Sequence, residues 1–144
     1  MKVNIELSKD YNPPHATIYT DEITDEVQQV VDVLNKKDVP FIGNKEDRMY
    51  MIKPEEIYMI TIIDKKTMIY TQDDHYTSKK RLYELSEHLG HHFMQISKQT
   101  IINLVFIESI EASFNGCLLL KLKNGTSDYV SRKYLPALKR YLGL

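Results

Sequence analysis

The chain has 144 residues, a formal net charge of −1 and a single cysteine. This length allows one full-sized domain, or a domain of about 100 residues with a short extension. Because no run approaches the roughly 20 apolar residues of a membrane helix, and the first residues lack the apolar segment of a signal peptide, we expect a cytoplasmic protein without membrane insertion. A lone cysteine excludes an internal disulfide framework, and we expect Cys117 to be a small buried residue on a strand.

Charge is distributed unevenly along the chain. Residues 1–38 contain four basic and eight acidic residues, whereas the remainder contains 15 basic and 12 acidic residues. The bias is strongest in Lys121–Leu144, where six basic residues accompany the single acidic residue Asp128. Such asymmetry indicates a nucleic-acid or membrane-surface partner, but it is a weak signal alone, because many basic stretches are only solvated faces.

The first 38 residues are predicted to form a small β-β-α extension. Lys2–Leu7 alternates apolar and polar residues, as a half-buried strand does, and Ala16–Tyr19 follows the Asn12-Pro13-Pro14 break as a second strand. Thr24 is predicted to cap a helix whose basic end is Lys36 and Lys37. Its apolar positions, at the i, i+3, i+4, i+7 spacing, are Val27, Val30, Val31 and Leu34. This extension is too short to bury a core alone, so it must pack on the rest of the chain or on another subunit.

The rest of the chain, residues 39–144, is predicted to be mostly β, because its short apolar runs are rich in β-branched and aromatic residues. Asp64-Lys65-Lys66 is predicted to be a tight hairpin loop, and Asn115-Gly116 and Asn124-Gly125 are strong hairpin signals. The predicted strands are Val39–Ile42, Met49–Ile52, Ile57–Ile63, Thr67–Gln72, His75–Thr77, Phe93–Ser97, Val105–Phe114, Cys117–Lys123 and Thr126–Ser131.

Three further segments of this region are predicted to contain helix or turn. Ser78 is predicted to cap a helix that carries Leu82, Leu85 and Leu89 on one side and stops at Gly90. Lys98–Asn103 is predicted to be a turn or a short helix. Arg132–Leu144 has leucines at helical spacing, and Pro136 predicts that its first turn is irregular.

The sequence lacks the motifs of the common enzyme classes. It contains no phosphate-binding glycine-rich loop, no nucleophile elbow and no CxxC pair, and its acidic residues are scattered. We therefore predict a protein that is not an enzyme and needs no cofactor. His88, His91 and His92 have a spacing that could suit zinc, but Gly90 should end the helix and separate the rings, so we favour a solvated helix end over a metal site.

Basic residues recur on the predicted turns and at strand–helix junctions. Short loops that carry lysine or arginine can enter a DNA groove, while hydroxyl and amide groups hold phosphates. Charge alone leaves nucleic-acid binding and a solvated surface as alternatives. The candidate DNA-binding residues are Lys65, Lys66, Ser97, Lys98, Gln99, Thr100, Arg132 and Lys133.

The segment Phe93–Asn103, FMQISKQTIIN, resembles the central motif of the LytTR family of bacterial DNA-binding domains. In that family an aromatic-led strand runs through a basic polar turn to an apolar pair and an asparagine. The downstream run from Ile107 through the two Asn-Gly turns to Val130-Ser131-Arg132-Lys133 resembles the family's ending, and Glu55–Ile60 with the helix Arg81–Leu89 resembles its opening. The resemblance spans about residues 39–144.

The resemblance implies an elongated antiparallel β sandwich whose loops enter the grooves of double-stranded DNA, usually at paired direct repeats. It places the DNA-facing loops at Lys65 and Lys66, at the Ser97–Thr100 turn, and at Arg132 and Lys133. Where the family often has a His-Arg pair, this chain has Ser97-Lys98, and lysine lacks the bidentate fork of arginine. We therefore expect Lys98 to contact phosphate more than base edges at that turn.

The predicted function is that of a sequence-specific, double-stranded DNA-binding transcription regulator. Many members of the family carry a phosphorylatable receiver domain, but residues 1–38 are too short to form one. We expect this acidic extension to mediate homodimerisation or to contact a regulatory protein partner. The alternative function is a non-enzymatic protein-interaction or ligand-sensing β module whose basic residues are only solvated.

Overall fold

A computed structural model describes residues 1–35 and 40–144 of the chain. The chain divides into two compact units, Met1–Lys36 and Lys37–Leu144. Each unit is described by itself below. The second unit contains all of the predicted DNA-binding residues.

The N-terminal unit contains the predicted helix but neither predicted strand. Helix α1 (Asp25–Asn35) is capped as expected, since the backbone N–H of Val27 donates to Thr24 Oγ1 at 3.3 Å. The predictions of strands at Lys2–Leu7 and Ala16–Tyr19 are wrong, because neither segment pairs with another strand. Alternation produces a strand only where a partner supplies backbone hydrogen bonds and covers the apolar face. The predicted basic end of the helix, Lys36 and Lys37, lies outside the described residues.

Residues 40–144 of the second unit form two antiparallel sheets, which confirms the mostly β prediction. The larger sheet has seven strands in the spatial order β2-β1-β5-β4-β3-β7-β6. Its strands are β1 (Phe41–Lys45), β2 (Arg48–Ile52), β3 (Met59–Ile63), β4 (Lys66–Tyr70), β5 (His75–Ser78), β6 (Phe93–Gln95) and β7 (Thr100–Asn103). The smaller sheet has the order β10-β9-β8 and consists of β8 (Ile107–Ala112), β9 (Leu118–Leu122) and β10 (Ser127–Val130).

Two short helices complete this unit. Helix α2 (Leu82–Ser86) follows β5, and helix α3 (Leu135–Leu142) follows β10. Pro136 lies in the first turn of α3, where a missing N–H costs little, and Gly143 ends the helix with a φ of 75°. Single 3₁₀ turns at Pro54–Glu56, Leu104–Phe106 and Phe114–Gly116 connect other elements.

The central strands β3 and β7 of the larger sheet bury residues on both of their faces. Met59 and Ile102 are paired across β3 and β7 and pack in one core cluster with residues of the smaller sheet and α3. Ile60 and Ile101 are the next pair and pack in a second cluster with Leu82 and Leu85 of α2. Because successive side chains of a strand point to opposite faces, the larger sheet is held between the smaller sheet with α3 and the helix α2.

Two local predictions in this unit are wrong for reasons of tertiary structure. Ser78 ends β5 opposite Thr67 and does not cap a helix, and α2 begins only after Arg81. Residues 98–103, predicted as a turn or short helix, contain strand β7, since Thr100 pairs with Thr61 of β3 and Ile102 pairs with Met94 of β6. Neighbouring strands on both sides decided the conformation of β7, and local sequence does not show them.

Candidate nucleic-acid interface

The β3–β4 turn presents two lysines at one end of the larger sheet. Ile63 pairs with Lys66, so the turn consists of Asp64 and Lys65 alone. Both residues have positive φ angles, 51° and 65°, which is the geometry of a type I′ hairpin turn. Lys65 stands at its tip, and Lys66 is the first residue of β4; both side chains are exposed. The predicted hairpin loop is therefore present, one residue shorter than expected.

The Ser97–Gln99 loop lies beside the β3–β4 turn. It joins β6 to β7, and Ile96 N–H closes it by donating to the carbonyl of Thr100 at 2.9 Å. Within the loop, Gln99 N–H donates to Ser97 Oγ at 3.2 Å, so the Ser97 hydroxyl fixes the loop shape. Ile62 N–H donates to the Gln99 carbonyl at 3.0 Å, which ties the loop to the end of β3. Lys98 is left exposed at the loop tip.

The junction between β10 and α3 lies on the other side of the same loop. Ser131 N–H donates to the Ile96 carbonyl at 2.9 Å, immediately before Ser97. Lys133 is exposed, and its ammonium lies 5.5 Å from the centre of the Tyr134 ring, within the range of a cation–π contact. The three predicted loops are therefore linked side by side through backbone hydrogen bonds.

Arg132 joins a fourth turn to this row. Its Nε donates to the carbonyl of Asn115 at 2.7 Å, and its Nη2 donates to the same oxygen. Asn115 and Gly116 both have positive φ, as predicted for an Asn-Gly hairpin turn, and Phe114 beside them is 86% exposed. The guanidinium therefore holds a neighbouring turn in place, a role that sequence did not show.

These four segments are called the loop edge below. They are the β3–β4 turn with the adjoining Lys66, the Ser97–Gln99 loop, the Ser113–Gly116 turn and the Ser131–Lys133 junction. Within residues 40–144, the turns at the opposite ends of the strands include an ion pair, because Lys45 of β1 binds Asp74. This contact raises the pKa of Lys45 above its ordinary value. The lysines of the loop edge form no ion pair with another described residue.

Thr100 is the one predicted site residue that lies away from the surface. Its side chain is 0% exposed, and its hydroxyl lies 2.7 Å from Thr61 Oγ1 and donates to Asp128 Oδ2 at 2.6 Å. With no exposed surface, Thr100 presents no side-chain atom to a duplex in this structure. The predicted role of Thr100 in DNA contact is replaced by a structural one, a polar link from β7 to β3 and β10.

Asn103, the asparagine that closes the central motif, is also structural. It is buried, its Nδ2 donates to the Ile57 carbonyl at 3.0 Å, and its Oδ1 accepts from Val105 N–H at 3.2 Å. The motif thus combines an exposed loop with a buried asparagine that anchors the end of β7.

A concave surface on the α2 side of the sheet adds a residue that sequence reasoning missed. This cleft has a volume of about 460 Å³, and Lys65, Lys98 and Arg81 all line it. Arg81 is exposed and precedes α2. The signal in the sequence is the run Lys79-Lys80-Arg81, three consecutive basic residues before an apolar helix.

The described residues give little support for a metal site, a buried strand cysteine or a membrane-spanning helix. His91 and His92 are exposed with ring centres 4.0 Å apart, but the described chain contains no group of three histidine, cysteine or carboxylate side chains that could hold a metal ion. Cys117 is half-buried and directly precedes β9, so it lies beside a strand and not within one. None of the described helices is both long and apolar enough to cross a membrane.

Comparison with known proteins identifies the class to which this fold and edge belong. Residues 47–143 match the model of the LytTr DNA-binding domain family, so the chain belongs to that family. The prediction of a DNA-binding transcription regulator of the LytTR type is thereby confirmed over the alternative of an interaction or ligand-sensing module. Membership in this family also agrees with the prediction of a protein that is not an enzyme.

Individual relatives extend over the whole chain. Uncharacterized HTH-type transcriptional regulators of Staphylococcus aureus strains NCTC 8325 and COL are each 28% identical over 146 residues, covering 100% of this chain and 99% of the relative. A solved LytTr DNA-binding domain from Bacillus cereus covers 73% of this chain and 97% of its own, with a TM-score of 0.67 and 23% identity. That structure shows the same fold.

Proposed function

We propose that the loop edge binds double-stranded DNA sequence-specifically and that the chain acts as a cytoplasmic transcription regulator. The proposal rests chiefly on one observation: backbone hydrogen bonds place three basic loops, separated by up to 68 residues in sequence, side by side. A row of loops at one end of a sandwich can enter successive grooves of a duplex, because it presents several narrow projections to one face of the DNA.

The loop edge supplies the contacts that DNA binding needs. Lys65, Lys66, Lys98 and Lys133 are exposed cations that can neutralise phosphates, and these contacts provide affinity without reading sequence. Gln99 is also exposed, and its side-chain amide can form bidentate hydrogen bonds with adenine in the major groove. The Ser97 hydroxyl already accepts a hydrogen bond within its loop, so we assign it mainly to loop shape.

Selection of binding sites from a random duplex pool, followed by anisotropy titration of the selected duplex, tests this function. We expect one recurrent motif, and an affinity that falls steeply with salt because each phosphate contact contributes about −0.9 to the log–log slope. Recovery of no motif, together with a salt-independent affinity, would contradict the proposal. The spacing of motifs in the selected duplexes also tests the expectation of paired direct repeats.

We propose further that the N-terminal unit makes the chain a homodimer. Val3, Ile5 and Leu7 are 76%, 82% and 92% exposed, an apolar row that association can cover. The Staphylococcus aureus relatives match across this region as well, so it is not peculiar to this chain. Two copies joined here would bring two loop edges to one operator, so that one dimer could contact two binding motifs.

Light scattering of the full chain tests this dimer. We expect Ile5→Glu with Leu7→Glu to convert a dimer into a monomer, because charges opposed across a covered apolar surface are costly. The control is Asn4→Glu with Glu6→Gln, which changes the neighbouring polar positions without a change of net charge and should leave the dimer intact. If the wild-type chain is a monomer, the homodimer proposal is wrong.

A further inference from the structure

The α2 side of the larger sheet contains a cleft next to the loop edge. Its floor includes Ile62, Thr67 and Ile101 of strands β3, β4 and β7, and α2 forms one wall. Lys65 of the β3–β4 turn and Lys98 of the Ser97–Gln99 loop stand at its rim. The cleft therefore opens beside two of the segments that we propose to face DNA.

Every charged residue that lines the cleft is a cation. Lys65, Lys98 and Arg81 line it, and no aspartate or glutamate does. None of these three cations forms an ion pair with another described residue. The nearest acidic side chain on α2, Glu84, already accepts a hydrogen bond from the Arg81 backbone N–H at 3.4 Å. Three converging cations without a carboxylate favour an anionic ligand.

The polar groups of the cleft suit a phosphate. Thr67, Tyr83 and Gln95 also line it, and their hydroxyl and amide groups can donate hydrogen bonds to phosphate oxygens, whereas the Ser86 hydroxyl already donates to the Tyr83 carbonyl at 2.8 Å. Arg81 supplies a planar guanidinium that can bind two of these oxygens at once, which a lysine cannot do. A volume of about 460 Å³ leaves room for a phosphodiester with part of its sugar.

We propose that this cleft binds one backbone phosphate of the DNA duplex and that Arg81 is its principal ligand. The inference rests on the proposed function, because Lys65 and Lys98 belong to both the cleft and the loop edge, so a duplex on that edge brings its sugar-phosphate backbone to the cleft. Arg81 then fixes the position of the duplex without reading its sequence, and the interface extends from the loops to the start of α2.

Anisotropy titrations of Arg81→Ala against salt, with the duplex selected for the wild-type chain, test the cleft. We expect affinity to fall about tenfold at moderate salt and the log–log slope to become smaller by about 0.9, with the ranking of duplex sequences unchanged. Arg81→Lys should restore the slope but only part of the affinity. The matched control is Lys80→Ala, which removes an equal charge from the adjacent residue, whose side chain lines a different cavity beside β1.

The outcomes separate this inference from the proposed function. If Arg81→Ala binds the duplex with wild-type affinity and an unchanged salt slope, the cleft inference is wrong and the proposed function stands. The same conclusion follows if Lys80→Ala loses as much DNA affinity as Arg81→Ala. If the wild-type chain binds no duplex, both are wrong. Titration of the wild-type chain and of Arg81→Ala with inorganic phosphate alone distinguishes a DNA phosphate from a free phosphate ion. If only the wild-type chain binds phosphate saturably, and Arg81→Ala binds DNA like the wild type, then the cleft binds free phosphate and the inference of a DNA contact is wrong. Circular dichroism and the unfolding midpoint of each variant verify the fold.

Discussion

Arg132 lies in the loop edge as a positioning residue. Sequence reasoning assigns it to DNA because it is basic and follows a strand, and the resemblance to the LytTR family places it at the last DNA-facing junction. In the structure its Nε and Nη2 both donate to the carbonyl of Asn115, and this is a bidentate contact that lysine cannot reproduce. The adjacent Lys133 has no such contact with the Ser113–Gly116 turn and remains available for a phosphate.

The two neighbours should therefore respond differently to truncation. We expect Arg132→Ala to lower DNA affinity and to reduce the free energy of unfolding by about 1 kcal/mol, while the salt slope stays near the wild-type value. Lys133→Ala should reduce the slope by about 0.9 and leave stability unchanged. Anisotropy titrations and denaturant unfolding of both variants measure these quantities. A slope lowered equally in both would show that Arg132 contacts phosphate directly.

Thr100 provides a second contrast at the scale of one residue. Thr100→Val keeps the shape of the side chain but removes the hydroxyl that contacts Thr61 and Asp128. We expect the free energy of unfolding to fall by about 1–3 kcal/mol, since polar groups of both partners lose a hydrogen bond. The folded variant should bind DNA with wild-type salt dependence. Lys98→Ala should behave in the opposite way, with an unchanged free energy of unfolding and a smaller salt slope of DNA binding. A smaller salt slope in Thr100→Val together with a loss of stability in Lys98→Ala would contradict these assignments.

The β3–β4 hairpin shows a conflict between stability and binding within one element. Lys65 has a φ of 65°, a left-handed conformation that costs a residue with a side chain about 1–2 kcal/mol. Glycine adopts it without that cost, although its unfolded state loses more entropy on folding. A lysine at this position indicates that the turn retains a charge at the expense of stability, as functional sites often do.

Lys65→Gly should therefore change two properties in opposite directions. We expect the free energy of unfolding to rise by up to about 1 kcal/mol, because relief of strain exceeds the entropic cost of glycine. DNA affinity should fall, with a slope smaller by about 0.9. Denaturant unfolding and anisotropy titration measure the two effects. Lys65→Ala is the control, since it removes the charge while the strained conformation remains.

Elements with strong local signals could be predicted from the sequence, and those that depend on distant partners could not. Thr24 caps α1 through its own hydroxyl, and Asn115 and Gly116 adopt the positive φ angles that an Asn-Gly pair predicts. By contrast, Lys2–Leu7 has the alternation of a strand but no partner, and β7 is a strand only because β3 and β6 flank it. Local pattern cannot distinguish these cases, because pairing is a property of the whole sheet.

The candidate site follows the same division. The exposed lysines at turn tips could be predicted, because a short turn between strands leaves its side chains in solvent. The burial of Thr100 and the contact of Arg132 with Asn115 could not, since each depends on residues at least 17 positions away. Arg81 was missed because the position of the cleft depends on where α2 packs against strands β3, β4 and β7, and the basic run Lys79-Lys80-Arg81 alone does not show this.

At the scale of the whole molecule, the DNA-binding surface proposed here is built from β-turns and not from a recognition helix. Helices α2 and α3 are separated by five strands, and within the described residues no two helices are consecutive. A helix-turn-helix requires two helices joined by a short turn, so the term in the names of the Staphylococcus aureus relatives does not describe this arrangement. Specificity must come from side chains on several separate loops.

The most direct test compares two charge-matched double variants on the selected duplex. Lys66→Ala with Lys133→Ala removes two cations from the loop edge, and Arg48→Ala with Lys123→Ala removes two exposed cations near the opposite ends of the strands. We expect the first pair to reduce the salt slope by about 1.8 and the second pair to leave it unchanged. Equal slopes for the two variants, or a larger loss in the second, would contradict the assignment of the loop edge as the DNA-binding surface.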